Sequence, residues 1–176
     1  VWRTFGEARA ISLGDAGFFW ALKLIDRLDI PDNRQHSLYQ RTSTHVLDLI
    51  RGQDLESVHA RQPKPPSFQH YKEIAALKTG SLFALCLAGA AEIATQPPEQ
   101  IDIFSEIGQA LGVLYQMQDD FLDIYRPEQK GHHSRSSDLE DGTWSSVLII
   151  AAEHSDKLGK NIGQFMTTSD GPMDQS

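Results

Sequence analysis

The chain has 176 residues, enough for one domain with a buried core, and its 24 acidic against 16 basic side chains leave a net charge of −8. That balance argues against nucleic acid as a partner, because phosphate backbones are held by clustered Lys and Arg, and the single cysteine rules out a disulfide framework within the chain. No run approaches the roughly 20 uncharged apolar residues of a membrane span, and no signal peptide opens the sequence, so a cytoplasmic protein without a membrane span is expected.

Along the chain, apolar residues recur at helical spacing, with little strand alternation. A first helix is expected from about Gly6 to Leu28, with Ile11, Phe18, Phe19, Ala21, Leu22 and Ile25 on its inner face. Phe18, Phe19 and Trp20 read as core. After the turn DIPDNRQ, a second helix runs from about Gln35 to Ala60 and is stopped by RQPKPP, whose prolines forbid continuation. Ser67 is the N-cap expected for a third helix reaching about Ala94. TQPPEQ breaks it, and the longest helix follows from about Glu99 to Tyr125. The polar EQKGHHSRSSDLEDG reads as a loop, and a further helix is expected from about Trp144 to Leu158. The organisation is then one domain over residues 1–163 and a tail over 164–176 with nothing to bury.

The third and fourth helices are apolar on nearly every face, as in SLFALCLAGAAEIA and IFSEIGQALGVLYQM, which places them in the middle of a bundle. Cys86, inside the first of these runs, is expected to be a buried small hydrophobe. Gly80, Gly89, Gly108 and Gly112 each cost about 1 kcal/mol in a helix relative to Ala, and they make sense where helices approach closely. The fold class is all-α, with long helices around a central space.

The segment QMQDDFLDIY carries the chemistry. On one helix Asp119, Asp120 and Asp123 lie at about 0°, 100° and 40°, within a single face. No Lys or Arg stands between Lys78 and Arg126 to offset them. One reading is a solvated acidic helix end. The other, favoured by the apolar flanks, is a sheltered trio that needs Mg²⁺, a hard cation that takes one or two carboxylates and leaves room for substrate phosphates. A diphosphate held this way also needs a direct cationic donor. Lys78 interrupts an apolar helix in LKTGSLF and is the candidate, with Thr79 beside it; the alternative is a lysine snorkelling at a helix edge.

Four ordered blocks resemble the trans-polyprenyl diphosphate synthase family: FGEARAISLGDA, RGQDLE, YKEIAALKTGSLF and YQMQDDFLD, the last similar to the family's second aspartate-rich motif. DLEDGTWSSVLI is a looser fifth block. The resemblance implies an all-α prenyltransferase that condenses isopentenyl diphosphate with an allylic diphosphate, uses Mg²⁺, and works as a homodimer or heterodimer. It implies that Asp119 binds Mg²⁺ directly, with Asp120 and Asp123 completing or supporting that shell. Lys78 would contact the allylic diphosphate. Thr79 and Gln116 would line the same pocket, Gln53 belongs to the second helix's motif, and Glu56 stands where the family more often has Asp.

The sequence also departs from the family pattern. The first aspartate-rich motif and the arginine-rich segment after it are absent, and two downstream lysines are replaced, one by His133 (or His132) and one by Thr143. Two explanations follow: a remainder of a longer enzyme, or a degenerate subunit that modulates a competent one. A terpene cyclase of the same fold is a further alternative. Pairs such as His70 with Glu73 and Glu153 with His154 are similar to di-iron ligand pairs, but the full ligand set of such a site is missing.

Overall fold

Prolines and capping residues divide the chain where the sequence is punctuated. The computed structural model describes residues 2–125 and 137–168, and every regular element among them is helical. A short α1 (Trp2–Phe5) meets α2 (Glu7–Ile25) at Gly6, whose φ of 83° suits glycine. Pro31 precedes α3 (Asp32–His59), which ends just before RQPKPP. Ser67 caps α4 (Phe68–Ala75), its Oγ accepting from His70 N at 3.1 Å. That helix continues through a π-helical turn (Ala76–Gly80) into α5 (Ser81–Ile93), and α6 (Pro98–Tyr125) follows the TQPPEQ break. The last elements are α7 (Ser137–Asp141), α8 (Ser146–His154) and α9 (Asp156–Thr168).

The centre of the bundle is the α5–α6 pair, with α3 laid across α5 and the π-helical turn. Small residues make this seam possible. A Cβ on Gly108 would stand 2.6 Å from Ala84 Cα, and one on Gly112 would stand 2.6 Å from Gly80 Cα, so neither position has room for a side chain. Ala84, Ala88 and Ala91 recur at helical spacing on the buried side of α5, with Ile101 of α6 packed against the last two. Glu92 is only 2% exposed, yet it is satisfied by Arg34 Nη1 at 3.0 Å and Ser37 Oγ at 3.1 Å, which fastens α3 to the end of α5. A second cluster gathers Tyr71, Ala75, Trp144, Leu148, Ile149 and Met166 and joins α4 to α8 and α9.

Several sequence expectations are corrected. Phe19 and Trp20 are 69% and 63% exposed and Phe18 is exposed too; of the six residues assigned to the inner face of α2, Ile25 alone is buried, and among the described residues α1 and α3 are the helices packed on α2. Cys86 is exposed, being on the side of α5 turned away from the seam. The helix expected over Trp144–Leu158 is two helices broken at Ser155, whose Oγ accepts from Leu158 N at 3.3 Å. The fold runs past residue 163: α9 extends to Thr168 and buries Met166 completely. Residues 126–136, including most of the expected loop, lie outside the described residues, while the end of that stretch forms α7. Finally, the continuous helix Phe68–Ile93 is long and apolar enough to cross a membrane by length and composition alone, which the sequence reading had not anticipated; in the fold it is the central helix of the bundle.

Candidate active site

Three of the sequence blocks that are far apart in the chain meet at one corner, around the π-helical turn. That turn carries Ala76-Leu77-Lys78-Thr79-Gly80, and such one-turn widenings often mark functional sites. On one side lies α3. Gly52 presses on the Lys78 backbone with no space for a Cβ, and Glu56, four residues on, reaches Lys78 Nζ at 2.6 Å. Gln53 Nε2 donates to the same Glu56 oxygen, Oε2, at 3.1 Å. On the other side lies α6, where Gln116 Oε1 accepts from Thr79 Oγ1 at 2.6 Å.

The network continues inward to Asp120. Its Oδ1 accepts from Gln116 Nε2 at 2.9 Å, and its Oδ2 accepts from Tyr71 Oη at 2.6 Å and from the Ser146 backbone N–H at 2.7 Å. Ser146 is the first residue of α8, so the carboxylate also sits at a helix N-terminus, where negative charge is favoured. Asp120 is 5% exposed. Burial, and then the hydrogen bond to Asp120, raise the Tyr71 hydroxyl's pKa far above its usual value, so it remains a donor.

The aspartates therefore do not share one surface. Asp119 is exposed, Asp120 is buried and Asp123 is half-buried, with the Asp138 backbone N–H donating to Asp123 Oδ2 at 3.1 Å. This corrects the expectation of three carboxylates facing one way without partners. The positive ends that Asp120 needs come from the chain itself, as hydroxyl, amide and helix N–H donors. Among the described residues, no three His, Cys, Asp or Glu side chains converge as a ligand set. Negative charge nevertheless accumulates at the end of α6: burial, followed by Asp123, Asp120, Glu56 and Asp119, pushes the Asp138 carboxyl up to about 7. Crowded oxygen donors are chemistry suited to Mg²⁺, and of the three aspartates Asp119 is the exposed one, with Asp123 one helical turn further on and half-buried.

A pocket opens at this corner, lined by Glu56, His59, Tyr71, Lys78, Gln116 and Trp144 among others. Trp144 Nε1 donates to Gln62 O at 2.9 Å, which holds the segment before α8 against the end of α3. His59 and His70 meet through their Nε2 atoms at 3.0 Å, and burial together with His70 lowers the His59 pKa.

The structure thus brings Lys78, Thr79, Gln116 and Asp120 together, with Gln53 linked through Glu56. Thr143 is half-buried, its N–H donating to Asp138 O at 2.7 Å, and His132 and His133 lie outside the described residues. Sequence reasoning missed Tyr71, Ser146 and Asp138. Tyr71 had a readable signal: it stands seven residues, two helical turns, before Lys78.

Solved structures carry the same all-α fold. Geranylgeranyl pyrophosphate synthetase from Pyrococcus horikoshii superposes with a TM-score of 0.84 at 24% identity, over 94% of this chain and 51% of that one. Among curated relatives, geranylgeranyl diphosphate synthase of Methanosarcina mazei is 29% identical over 154 residues, 88% of this chain and 47% of the relative. A terpene synthase of Matsumurasca onukii is 28% identical over 147 residues, 84% of this chain and 46% of the relative. The polyprenyl synthetase family profile matches residues 1–172, and the chain belongs to that family. It spans about half the length of these relatives.

Proposed function

We propose that the full-length protein is a prenyl diphosphate synthase of isoprenoid biosynthesis, condensing isopentenyl diphosphate with an allylic prenyl diphosphate. The observation that carries this reading is the meeting of the RGQDLE, KTG and QMQDD blocks through the Lys78–Glu56 and Thr79–Gln116 contacts, both 2.6 Å long. In this reading Lys78 donates to the allylic diphosphate. Thr79 directs its hydroxyl hydrogen to Gln116 in a hydrogen bond, so the lone pairs of its oxygen are left to face positive charge that develops on the allylic carbon. Gln53 and Gln116 complete the polar wall, and Asp120 acts from beneath by holding the Gln116 amide in its orientation.

The reaction breaks the allylic C–O bond, and its electrons leave with the diphosphate. The isopentenyl double bond then attacks the allylic carbon, and the proton lost from the new cation passes to the departed diphosphate. Magnesium, held directly by Asp119, with Asp123 completing and Asp120 supporting that shell, would supply the charge that makes diphosphate a good leaving group. Cytoplasmic location and a homodimeric or heterodimeric assembly belong to the same proposal.

The Thr143 position favours a second reading, a subunit that modulates a competent partner, because threonine brings a hydrogen bond without a charge. One assay separates the readings. Full-length protein is incubated with Mg²⁺, isopentenyl diphosphate and each allylic primer in turn. A longer prenyl diphosphate is the expected product, and Asp119→Ala should cut kcat/KM by about 10²–10³-fold. Silence with every primer selects the subunit reading; hydrocarbon released from a prenyl diphosphate alone selects a terpene cyclase; undiminished turnover by Asp119→Ala sinks the assigned role of that carboxylate.

A further inference from the structure

The pocket's basic residue is already engaged. Glu56 lies one turn beyond Gly52 on the same face of α3, so the close approach of Gly52 to the Lys78 backbone sets the Glu56 carboxylate over the lysine side chain. Its Oε2 accepts from both Lys78 Nζ at 2.6 Å and Gln53 Nε2 at 3.1 Å. The two charged side chains keep 28% and 24% of their surface in solvent, so the pair is within reach of a ligand. Among the described residues that line the pocket, Lys78 is the one Lys or Arg.

We propose that Glu56 is a positioning residue that sets the affinity of this corner for diphosphate groups, holding Lys78 in an ion pair until a diphosphate oxygen takes over the lysine's donor. This rests on the synthase reading for the identity of the ligand, and extends it to how tightly that ligand is held. The exchange is feasible because a partly exposed ion pair contributes little, whereas a diphosphate offers several oxygens for charge-assisted bonds. It also has a cost, since the displaced carboxylate then faces the incoming anion. Glu56 therefore weakens diphosphate binding and favours release of diphosphate after reaction.

Isothermal titration with inorganic diphosphate, with and without Mg²⁺, tests this on the full-length wild type, Glu56→Gln, Lys78→Gln and the double variant. Glu56→Gln is expected to tighten binding about three- to tenfold, and the gain should vanish when Lys78→Gln is also present. Glu56→Asp, which keeps the charge but shortens the reach by one methylene, should tighten binding by a smaller factor. A damaged fold loses affinity, so a gain that depends on Lys78 has no merely structural explanation. If neither Glu56 variant binds more tightly, or if the gain survives without Lys78, Glu56 does not act through the lysine and the proposal is overturned while the diphosphate site stands. If the wild type binds no diphosphate under either condition, the site and the proposal fall together.

Discussion

The N-terminal α2 and the central α5 are both rich in apolar residues, yet they meet opposite fates. In α5, Ala84, Ala88 and Ala91 are buried almost completely, the first against Gly108 and the other two against Ile101. In α2, Ile11, Leu13, Phe18, Phe19, Trp20 and Leu24 stay exposed. The larger side chains are the ones left in solvent. Burial follows from the presence of an opposing surface at the right distance, and the seam achieves this through the absence of side chains at Gly108 and Gly112.

This contrast can be tested most severely at the seam. Gly112→Val places a side chain where backbone of the π-helical turn already stands 2.6–2.9 Å from the Cβ position. A loss of about 3 kcal/mol or more is expected in urea unfolding of the 176-residue chain, and a change under 1 kcal/mol would mean the helices separate more easily than their packing implies. The next effect belongs to the polar end of the same region. Asp120→Ala leaves the Tyr71 hydroxyl and the Ser146 N–H without their buried acceptor, at a cost of about 2 kcal/mol. Faster hydrogen exchange at the start of α8 should accompany it, and unchanged protection there would show that α8 is anchored by its apolar contacts alone. The smallest effect is expected in α2, where Phe19→Ser should alter the stability of the same chain by no more than about 0.5 kcal/mol. A loss above 1.5 kcal/mol would reveal that α2 supports the bundle after all.

Much of the bundle was legible because its punctuation is chemical. Proline runs at 63–66 and 97–98 end or begin helices, Ser67 caps one, and Gly80, Gly108 and Gly112 mark close approach, whereas a Cβ on Gly89 would meet only the end of the Leu38 side chain, at 3.4 Å. The break at Ser155 was readable as well, since a serine followed by Asp156 is a helix-start signal. The fate of α2 was not, because a helical pattern defines a face without stating what lies opposite it. The aspartates illustrate the same limit. Helical angles group Asp119, Asp120 and Asp123, but only the positions of Tyr71 and the start of α8 decide that the middle one is enclosed in donors while Asp119 meets solvent. Lys78 was singled out because it interrupts an apolar run, with Thr79 beside it, whereas Gln116 came from the family resemblance of YQMQDDFLD. The contact between Lys78 and Glu56 depends on how α3 crosses the turn, and nothing local in the sequence encodes that crossing.

The π-helical turn between α4 and α5 takes up an extra residue without turning the helix out of phase. It holds about one residue more than an α-helical turn, so deleting a single residue within Ala76–Gly80 would let the stretch close into a plain α-helix, keeping Tyr71 and Ile74 on one side and Ala84, Ala88 and Ala91 on the other near their present directions while removing the widened turn that carries Lys78 and Thr79. The extra residue thus serves the corner and not the seam: it widens the backbone where Lys78 and Thr79 reach α3 and α6 and leaves the packing of α5 in register.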